Sequence, residues 1–165
     1  MKLSRQEKIT YLQPSRTGQG LVAGFTTRNG GVSRAPYNSL NPGFNTADQQ
    51  VHVDGNRSTF CRAFALPQNQ LLTIRQVHGD DLLLIDEPNA DLSHFLKVEA
   101  DGVVTNQPGI MLGILVADCF PVLFWDADKR VIAAVHVGWR GAAAGILKKT
   151  VTAMTRHFGC AAGNI

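Results

Sequence analysis

Short, continuous apolar runs in the second half of the chain constrain its fold more than any other feature. The runs that we interpret as strands are Val103–Val104, Ile110–Val116, Val122–Trp125 and Arg130–Val137. Apolar residues fill these runs with little alternation, which is typical of strands buried on both faces of a sheet. The segment 140–158 follows, in which apolar residues recur at helical spacing ahead of Gly159, a typical helix end. The pattern predicts an α/β (α+β) fold in which helices cover a sheet.

The first half of the chain is less regular and is rich in turn signals. We expect strands at Leu21–Thr27, Leu71–Val77 and Leu82–Ile85. A short helix is expected to begin at Asp54 as its N-cap and to run to Phe64. The long Gly-, Asn-, Ser- and Pro-rich loop before this helix is typical of a functional or a disordered segment, and residues 86–99 predict a loop with a helical turn. The length of 165 residues fits one domain, 1–165.

Composition and charge argue against several classes of protein. The formal net charge of +3 is not concentrated in a stripe, which gives nucleic-acid binding little support but leaves a positive cleft for a small anion open. The N-terminus lacks the apolar stretch of a secretory signal, and the longest apolar runs are too short to span a bilayer. We therefore expect a cytoplasmic protein without a membrane partner, and its oligomeric state stays open. Three cysteines without a CxxC pair suit a reducing compartment, and Cys61 and Cys160 are expected to be inert.

His78, Cys119 and His136 each lie where a strand-like run meets a turn or a helix start, the position at which open α/β sheets place ligands. Two imidazoles and a thiolate would make a three-ligand zinc site with an open fourth position, as in catalytic metal sites. The intervals of 41 and 17 positions match no short metal motif. Two alternatives therefore remain: His78 can be a turn histidine with a satisfied hydrogen bond, and Cys119 can be a buried thiol that only packs. His136 interrupts an apolar run and needs a partner, because an unsatisfied buried polar group costs about 1–3 kcal/mol.

Two carboxylates accompany these residues in the sequence. Asp118 directly precedes Cys119, and Asp101 directly precedes Gly102. Either carboxylate can orient a metal-bound imidazole or act as a general acid or base. Asp101 can instead be a turn carboxylate, whereas Asp118 follows an apolar run and needs a specific partner.

Four further residues suggest where an anion or a planar ring would bind. Arg140 opens the last predicted helix, and helix starts bind phosphate or carboxylate groups well. Trp139 can stack on a planar ring or serve in the core. Arg28 and Arg75 can add positive charge to such a site, or each can be a solvated surface residue.

Five motifs occur in order along the chain. They are Phe25-Thr-Thr-Arg-Asn-Gly-Gly-Val-Ser33, Gln76-Val-His-Gly79, Ala100-Asp-Gly102, Ala117-Asp-Cys119 and Val135-His-Val-Gly-Trp-Arg-Gly141. Together they closely resemble the bacterial laccase-domain family, whose members have been called multicopper polyphenol oxidases, purine nucleoside phosphorylases and peptidoglycan editing factors. The resemblance implies a mixed β-sheet layered with helices in a single domain, with a cleft that binds zinc, or copper as an alternative. It also implies that His78, Cys119 and His136 are the ligands, and it places Gln76 among the substrate-binding residues.

The chain departs from the family pattern in two places. It has Ser39-Leu-Asn-Pro-Gly43 where the family usually has Ser-Leu-Asn-Leu-Gly. Family members also continue well beyond the position that corresponds to Ile165, into a Gly-Pro-x-Ile-Gly-Pro-Cys-Cys-Tyr-type segment. We therefore expect this chain to be truncated at its C-terminal end and its site to be only partly built.

Four functions are considered for this chain. The leading hypothesis is a zinc-dependent purine nucleoside phosphorylase with adenosine deaminase activity, which takes a purine nucleoside and phosphate and uses Asp101, Asp118 and Arg140 as catalytic residues. Copper-dependent oxidation of phenols is an alternative, although one His-Cys-His set supplies too few ligands for a multicopper cluster. In a metal-free alternative, Cys119 is the nucleophile and His136 the base of a hydrolase that edits peptidoglycan precursors. The fourth is a non-catalytic fragment.

Overall fold

The computed structural model describes residues 1–15, 17–18 and 20–165. The chain divides into two compact units, Met1–Gln68 and Asn69–Ile165. In the described residues of the first unit, a three-stranded antiparallel sheet is accompanied by one α-helix. The elements of the first unit are β1 (Lys2–Gln6), β2 (Ile9–Gln13), β3 (Phe25–Thr26) and α1 (Gln50–Ala63). Their sheet has the order β1-β2-β3. The strand expected at 21–27 is therefore reduced to two residues. One domain over residues 1–165 stays a prediction.

The helix of the first unit begins earlier than predicted. Gln49 occupies the N-cap position without a side-chain cap, and α1 starts at Gln50, so Asp54 lies inside the helix and the predicted cap is wrong. The Asp48 carboxylate accepts the Gln49 amide hydrogen at 2.8 Å. This acid supports the helix start that the sequence reading assigned to Asp54.

The long loop ahead of α1 is held by buried polar contacts. Asn56, buried in the helix, accepts the Val32 amide hydrogen at 2.7 Å and donates to Ser33 Oγ and to the Asn41 carbonyl oxygen at 2.7 and 2.9 Å. Ser33 Oγ in turn donates to the Asp48 carboxylate at 2.6 Å. These bonds satisfy polar groups that would otherwise be costly to bury, and they give the loop one conformation.

Two sheets form the second unit. Their strands are β4 (Leu71–Thr73), β5 (Leu82–Ile85), β6 (Gly102–Thr105), β7 (Met111–Gly113), β8 (Phe120–Asp126) and β9 (Val131–Val137). The four-stranded sheet has the order β5-β6-β9-β8; β5 and β6 run parallel, and β9 is antiparallel to both of its neighbours. Strands β4 and β7 form a separate parallel pair. The prediction of a mixed sheet layered with helices is confirmed.

The interior strands of the larger sheet are buried on both faces. On one face Val104 and Ala133 pack with Met154 of the last helix, and on the other Val103 packs with Leu72 of β4. Strand β8 differs, because in the described part of the chain only β9 pairs with it, and most of its residues are half-buried. The expectation of two buried faces is therefore wrong for Val122–Trp125, which lies at an edge.

The helix predicted at 140–158 is two helices. They are α2 (Trp139–Ala144) and α3 (Ile146–Arg156), separated by Gly145 in the left-handed region at φ +82°. The apolar residues that predicted the helix, Leu147, Val151, Met154 and Phe158, all lie after this break, so their spacing carried no information on the turn at Gly145. Gly159 lies beyond the last residue of α3 and is also left-handed, at φ +70°. Within the described residues, no helix has the length and apolar character that a membrane crossing would need.

Candidate metal centre

His78, Cys119 and His136 converge at one end of the larger sheet. Their donor atoms all lie within 4.8 Å of one another, and the two imidazole rings are perpendicular with centroids 4.8 Å apart. His78 is exposed, Cys119 is half-buried and His136 is buried at 3% exposure. The structure therefore brings together the three residues that the sequence predicted as ligands.

Strand register explains why two of the donors are neighbours. Strand β8 begins at Phe120, directly after Cys119, and its next residue, Pro121, pairs with His136 of β9. Antiparallel pairing places such residues about 5 Å apart. The thiol and the imidazole are consequently adjacent at the same end of one strand pair.

The Asp101 carboxylate fixes both histidines. Its Oδ1 accepts hydrogen bonds from His136 Nδ1 at 2.7 Å and from the His78 amide at 3.0 Å. Its Oδ2 accepts the amide hydrogens of Gly79 at 2.7 Å and of Val77 at 3.2 Å. A carboxylate can only accept, so the proton of the neutral imidazole sits on Nδ1 and Nε2 of His136 is left free for a metal.

Hydrogen bonding keeps the Asp101 carboxylate charged. Burial alone would raise its pKa, but the bonds from His136 and from the Gly79, Val77 and His78 amides outweigh burial, and the pKa lies below its ordinary value. Asp101 is fully buried and both of its oxygens are engaged. Asp101 was predicted either to orient an imidazole or to act as a general acid or base. This geometry favours the orienting role.

The Cys119 thiol has a raised pKa. Burial is the largest cause, followed by the charge of Asp118 and a hydrogen bond to it, and then by the charge of Asp101. Without a cation nearby, the thiol keeps its proton near neutral pH. A bound metal ion would reverse this effect, because its charge favours the thiolate.

Gly138 keeps the space between the donors open. A Cβ atom at this position would lie 3.2 Å from His78 Cδ2, 3.5 Å from Cys119 Sγ and 3.8 Å from His136 Cε1. His78 itself has a left-handed backbone at φ +61°, which its amide bond to Asp101 supports. Nitrogen, sulfur and nitrogen donors around a cradle that a methyl group would fill suit a metal ion. The sequence analysis did not name Gly138 as a site residue. Its position between His136 and the start of α2 is the signal that could have indicated this role.

Three other predicted site residues adjoin the ligands in the chain. Asp118 is exposed and directly precedes Cys119, and its charge helps to raise the pKa of that thiol. Trp139 is 77% exposed, so the core role left open for it is wrong. Arg140 is exposed, and its guanidinium carbon lies 5.2 Å from the centroid of the Trp139 ring.

The remaining predicted residues are engaged in bonds of their own. The Gln76 amide donates to the Leu115 carbonyl oxygen at 2.8 Å and accepts the Leu115 amide hydrogen at 2.9 Å. Arg75 forms an exposed ion pair with Glu99 at 3.1 Å. Arg28 belongs to the first unit, where its side chain donates to the Asn38 carbonyl oxygen at 2.6 Å. Their predicted roles in substrate binding stay predictions.

The sequence matches a family model described as multi-copper polyphenol oxidoreductase laccase over residues 22–165. The chain belongs to this family. Among curated relatives, the purine nucleoside phosphorylase of Corynebacterium glutamicum is 44% identical over 131 residues, which cover 79% of this chain and 52% of the relative. Purine nucleoside phosphorylase YfiH of Escherichia coli is 42% identical over 135 residues, which cover 81% of this chain and 53% of the relative. The chain thus spans about half the length of the curated relatives that it matches.

Solved structures of family members share this fold. The crystal structure of YlmD from Geobacillus stearothermophilus superposes with a TM-score of 0.80 at 29% identity, covering 92% of this chain and 60% of that one. The Bacillus licheniformis protein YfiH gives a TM-score of 0.75 at 30% identity, covering 92% of this chain and 54% of that one. These matches confirm both the family and the fold class that the five motifs predicted.

Proposed function

We propose that this chain carries the metal centre of a purine nucleoside phosphorylase that uses zinc and that also deaminates adenosine. The observation that carries the proposal is the convergence of His78, Cys119 and His136 around the space left by Gly138. Relatives at 42–44% identity are named purine nucleoside phosphorylases, which supports this class of substrate.

The donor set favours zinc over copper. Three donors leave a fourth position for water or substrate, and bound zinc would supply a Lewis acid that polarises whatever occupies it. A multicopper oxidase needs further ligands, and within the described residues no other group of histidine, cysteine and acidic side chains is arranged to hold a metal. The copper in the family's name is therefore less suited to this site than zinc.

The surrounding side chains divide the remaining tasks. Asp101 holds the ring of His136 in one tautomer and fixes the backbone of the His78 turn. Exposed Asp118, beside the thiol, is free to accept or deliver a proton to solvent or substrate. Arg140 supplies a positive charge for phosphate, and because α2 is only six residues long, this guanidinium rather than the helix end is the proposed anion contact.

The zinc-loaded chain incubated with adenosine, with and without phosphate, tests the proposal. We expect adenine and ribose 1-phosphate only when phosphate is present, and inosine in both cases, with products identified by chromatography and mass. His78→Ala and Cys119→Ser should abolish both reactions. His94→Ala, which changes an exposed histidine paired with Asp91, should leave them intact.

Two results would contradict the proposal. One is the absence of both products from protein that holds one zinc per chain. The other is oxidation of a phenol that requires copper and is lost in His78→Ala, which would favour the oxidase. Hydrolysis of a peptidoglycan precursor by metal-free protein would instead favour Cys119 as a nucleophile, a role that its raised pKa opposes.

A further inference from the structure

The backbone of α2 lies directly against residues 77–80, which we call the His78 turn. A Cβ atom added at Gly141 would lie 2.6 Å from the Gly79 carbonyl oxygen, which is too close for either segment to stay in place. Gly141 is buried, and the same Cβ atom would also contact the buried side chain of Ile146 at 3.6 Å. Glycine therefore allows an approach of the two backbones that another residue would prevent.

A second glycine of α2 contacts the ligand itself. Gly138 is the N-cap of the helix and lies three residues before Gly141. Residues at this spacing are neighbours on a helix surface. A Cβ atom at Gly138 would lie 3.2 Å from His78 Cδ2. The start of α2 thus adjoins the His78 ring at one glycine and the backbone that follows His78 at the other.

An ion pair ties the end of the same turn to α3. Lys149 Nζ contacts Asp80 Oδ2, with the two side chains 51% and 26% exposed. A pair this exposed contributes little stability by itself. It nevertheless restrains the turn at a point beyond the three amides that donate to Asp101.

The His78 turn needs such restraints. The backbone of His78 is left-handed at φ +61°, a conformation that residues other than glycine keep only where their surroundings hold it. The side chain is exposed, so packing around the ring contributes little to its placement. The position of this nitrogen donor therefore depends on what holds the backbone of the turn.

We propose that Gly141 is a positioning residue that sets where the His78 imidazole meets the metal, with Lys149 as a weaker second restraint. The inference rests on the proposed metal centre and adds residues that act on a ligand through its backbone. Gly141 acts through the Gly79 carbonyl, and Lys149 acts through Asp80.

Gly141→Ala in the full chain tests the inference. Alanine is the better helix former, so helix propensity alone predicts no loss in this variant. We expect its zinc affinity, measured by competition with a chromophoric chelator, to fall by about 10- to 100-fold. Gly163→Ala, where an added Cβ atom meets nothing within 4 Å, should bind zinc like the wild type.

Two NMR readouts separate positioning from a general loss of structure. In metal-free Gly141→Ala, the amides of His78 and Gly79 should exchange hydrogen faster than in the wild type. The amide of His136, which donates to the Asp101 carbonyl oxygen at 2.7 Å, should exchange as before. On zinc addition, the ring nitrogens of His136 should shift in both proteins, whereas those of His78 should need more zinc in the variant.

Lys149→Gln provides a second test that does not depend on the folding of Gly141→Ala. We expect its zinc affinity to be about 2- to 5-fold lower at low ionic strength and equal to that of the wild type at about 1 M salt. Lys148→Gln is the matched control, because Lys148 is exposed and no ion pair is seen for it in the described residues.

Unchanged zinc affinity together with unchanged amide exchange in Gly141→Ala would overturn the inference. If that variant does not fold, equal zinc affinities of Lys149→Gln and Lys148→Gln would overturn it. A wild type whose His78 nitrogens do not respond to zinc would contradict the proposed metal centre instead. Amide exchange in the metal-free proteins would then still show whether Gly141 fixes the His78 turn.

Discussion

The Asp101 carboxylate joins two segments that each supply a proposed metal ligand, His78 and His136. It accepts one hydrogen bond from the imidazole of His136 and three from the amides of Val77, His78 and Gly79. In Asp101→Asn, an NH2 group replaces one of the two carboxylate oxygens. This donor would face an N–H group that needs an acceptor. We expect Asp101→Asn to lower zinc affinity by about 10- to 100-fold, measured by competition with a chromophoric chelator.

The exposed neighbour Asp118 supplies the matched control for this prediction. Asp118→Asn should retain most of the zinc affinity, because Asp118 is exposed and no hydrogen bond to either histidine is seen for it in the described residues. Nitrogen NMR of the imidazoles adds a readout that general destabilisation would not produce. Loss of the Nδ1–H signal of His136 in Asp101→Asn is expected, and an unchanged tautomer with unchanged zinc affinity would refute the orienting role.

The three cysteines should differ sharply in reactivity. Burial raises the pKa of the Cys61 and Cys119 thiols, and burial together with a hydrogen bond to Asp126 raises the pKa of Cys160 to about 11. Exposure separates the three, because Cys61 and Cys160 are shielded from solvent, at 2% and 6% exposure, whereas Cys119 is half-buried. At about pH 8 we expect iodoacetamide to modify Cys119 alone in native, metal-free protein, and zinc to prevent it.

Peptide mass analysis measures this selectivity, and Cys119→Ser, which should take up no label, is the control. Labelling of native Cys160 at the same rate as Cys119 would contradict the prediction. Equal labelling of Cys119 with and without zinc would instead argue against the thiol as a ligand.

At the level of single residues, the sequence identified which side chains carry the chemistry of the site better than it identified their hydrogen-bond partners. His136 was recognisable because a polar ring stands in an apolar strand, and the structure supplies the partner that it needed. Gln76 lies in a family motif, yet its amide pairs with the backbone of Leu115, a residue 39 positions away. No local pattern encodes such a distant contact, which depends on how the strands are arranged.

Among the secondary-structure elements, the junction between α2 and α3 depends on the backbone of Gly145. Its φ of +82° lies in the left-handed region, and an added Cβ atom would meet nothing within 4 Å. Gly145→Ala should therefore cost about 1–2 kcal/mol of unfolding free energy through backbone strain alone. Urea denaturation followed by circular dichroism measures this loss.

Gly163 provides the matched control for the helix junction. An added Cβ atom there also meets nothing within 4 Å, and Gly163 is absent from the residues with positive φ. Gly163→Ala should leave the free energy of unfolding nearly unchanged. Equal stability of the two variants would show that the left-handed turn does not limit the stability of the helix pair.

Element prediction succeeded where burial leaves a pattern. Strands β5 and β9 lie close to where their apolar runs predicted them. Strand β1 was missed because its residues are mostly exposed and polar, so its sequence carries little apolar signal. The break at Gly145 was missed because the apolar residues that signalled the helix, such as the buried Met154, all lie in α3, after the break.

For the molecule as a whole, Asp48 is expected to set part of the acid stability. A hydrogen bond from Ser33 lowers its pKa most; burial opposes this, and bonds from Asn41, the Gln49 amide and His52 lower it further. Because the folded-state pKa is the lower one, the charged form stabilises the fold above the unfolded value of about 3.9. That contribution is lost as pH falls through the folded-state pKa.

Unfolding free energies measured by urea titration between about pH 7 and pH 3 test this dependence. The wild type should be more stable than Asp48→Asn at neutral pH, and the difference should shrink below about pH 4. Asp54→Asn, an exposed change in the helix that follows Asp48, should show no comparable difference. A gap between wild type and Asp48→Asn that stays constant with pH would contradict this assignment.

The register of β8 and β9 also has a consequence for the order in which the protein folds. These strands are consecutive and joined by a tight turn, so their pairing brings Cys119 and His136 together through local contacts that close rapidly. His78 is added only when β6 pairs with β9 and Asp101 captures the amides of the distant turn. During refolding, the arrival of His78 at the site would therefore report that β6 has paired with β9. Zinc affinity should rise in two kinetic phases, and the β6–β9 pairing should set the rate of the slower one.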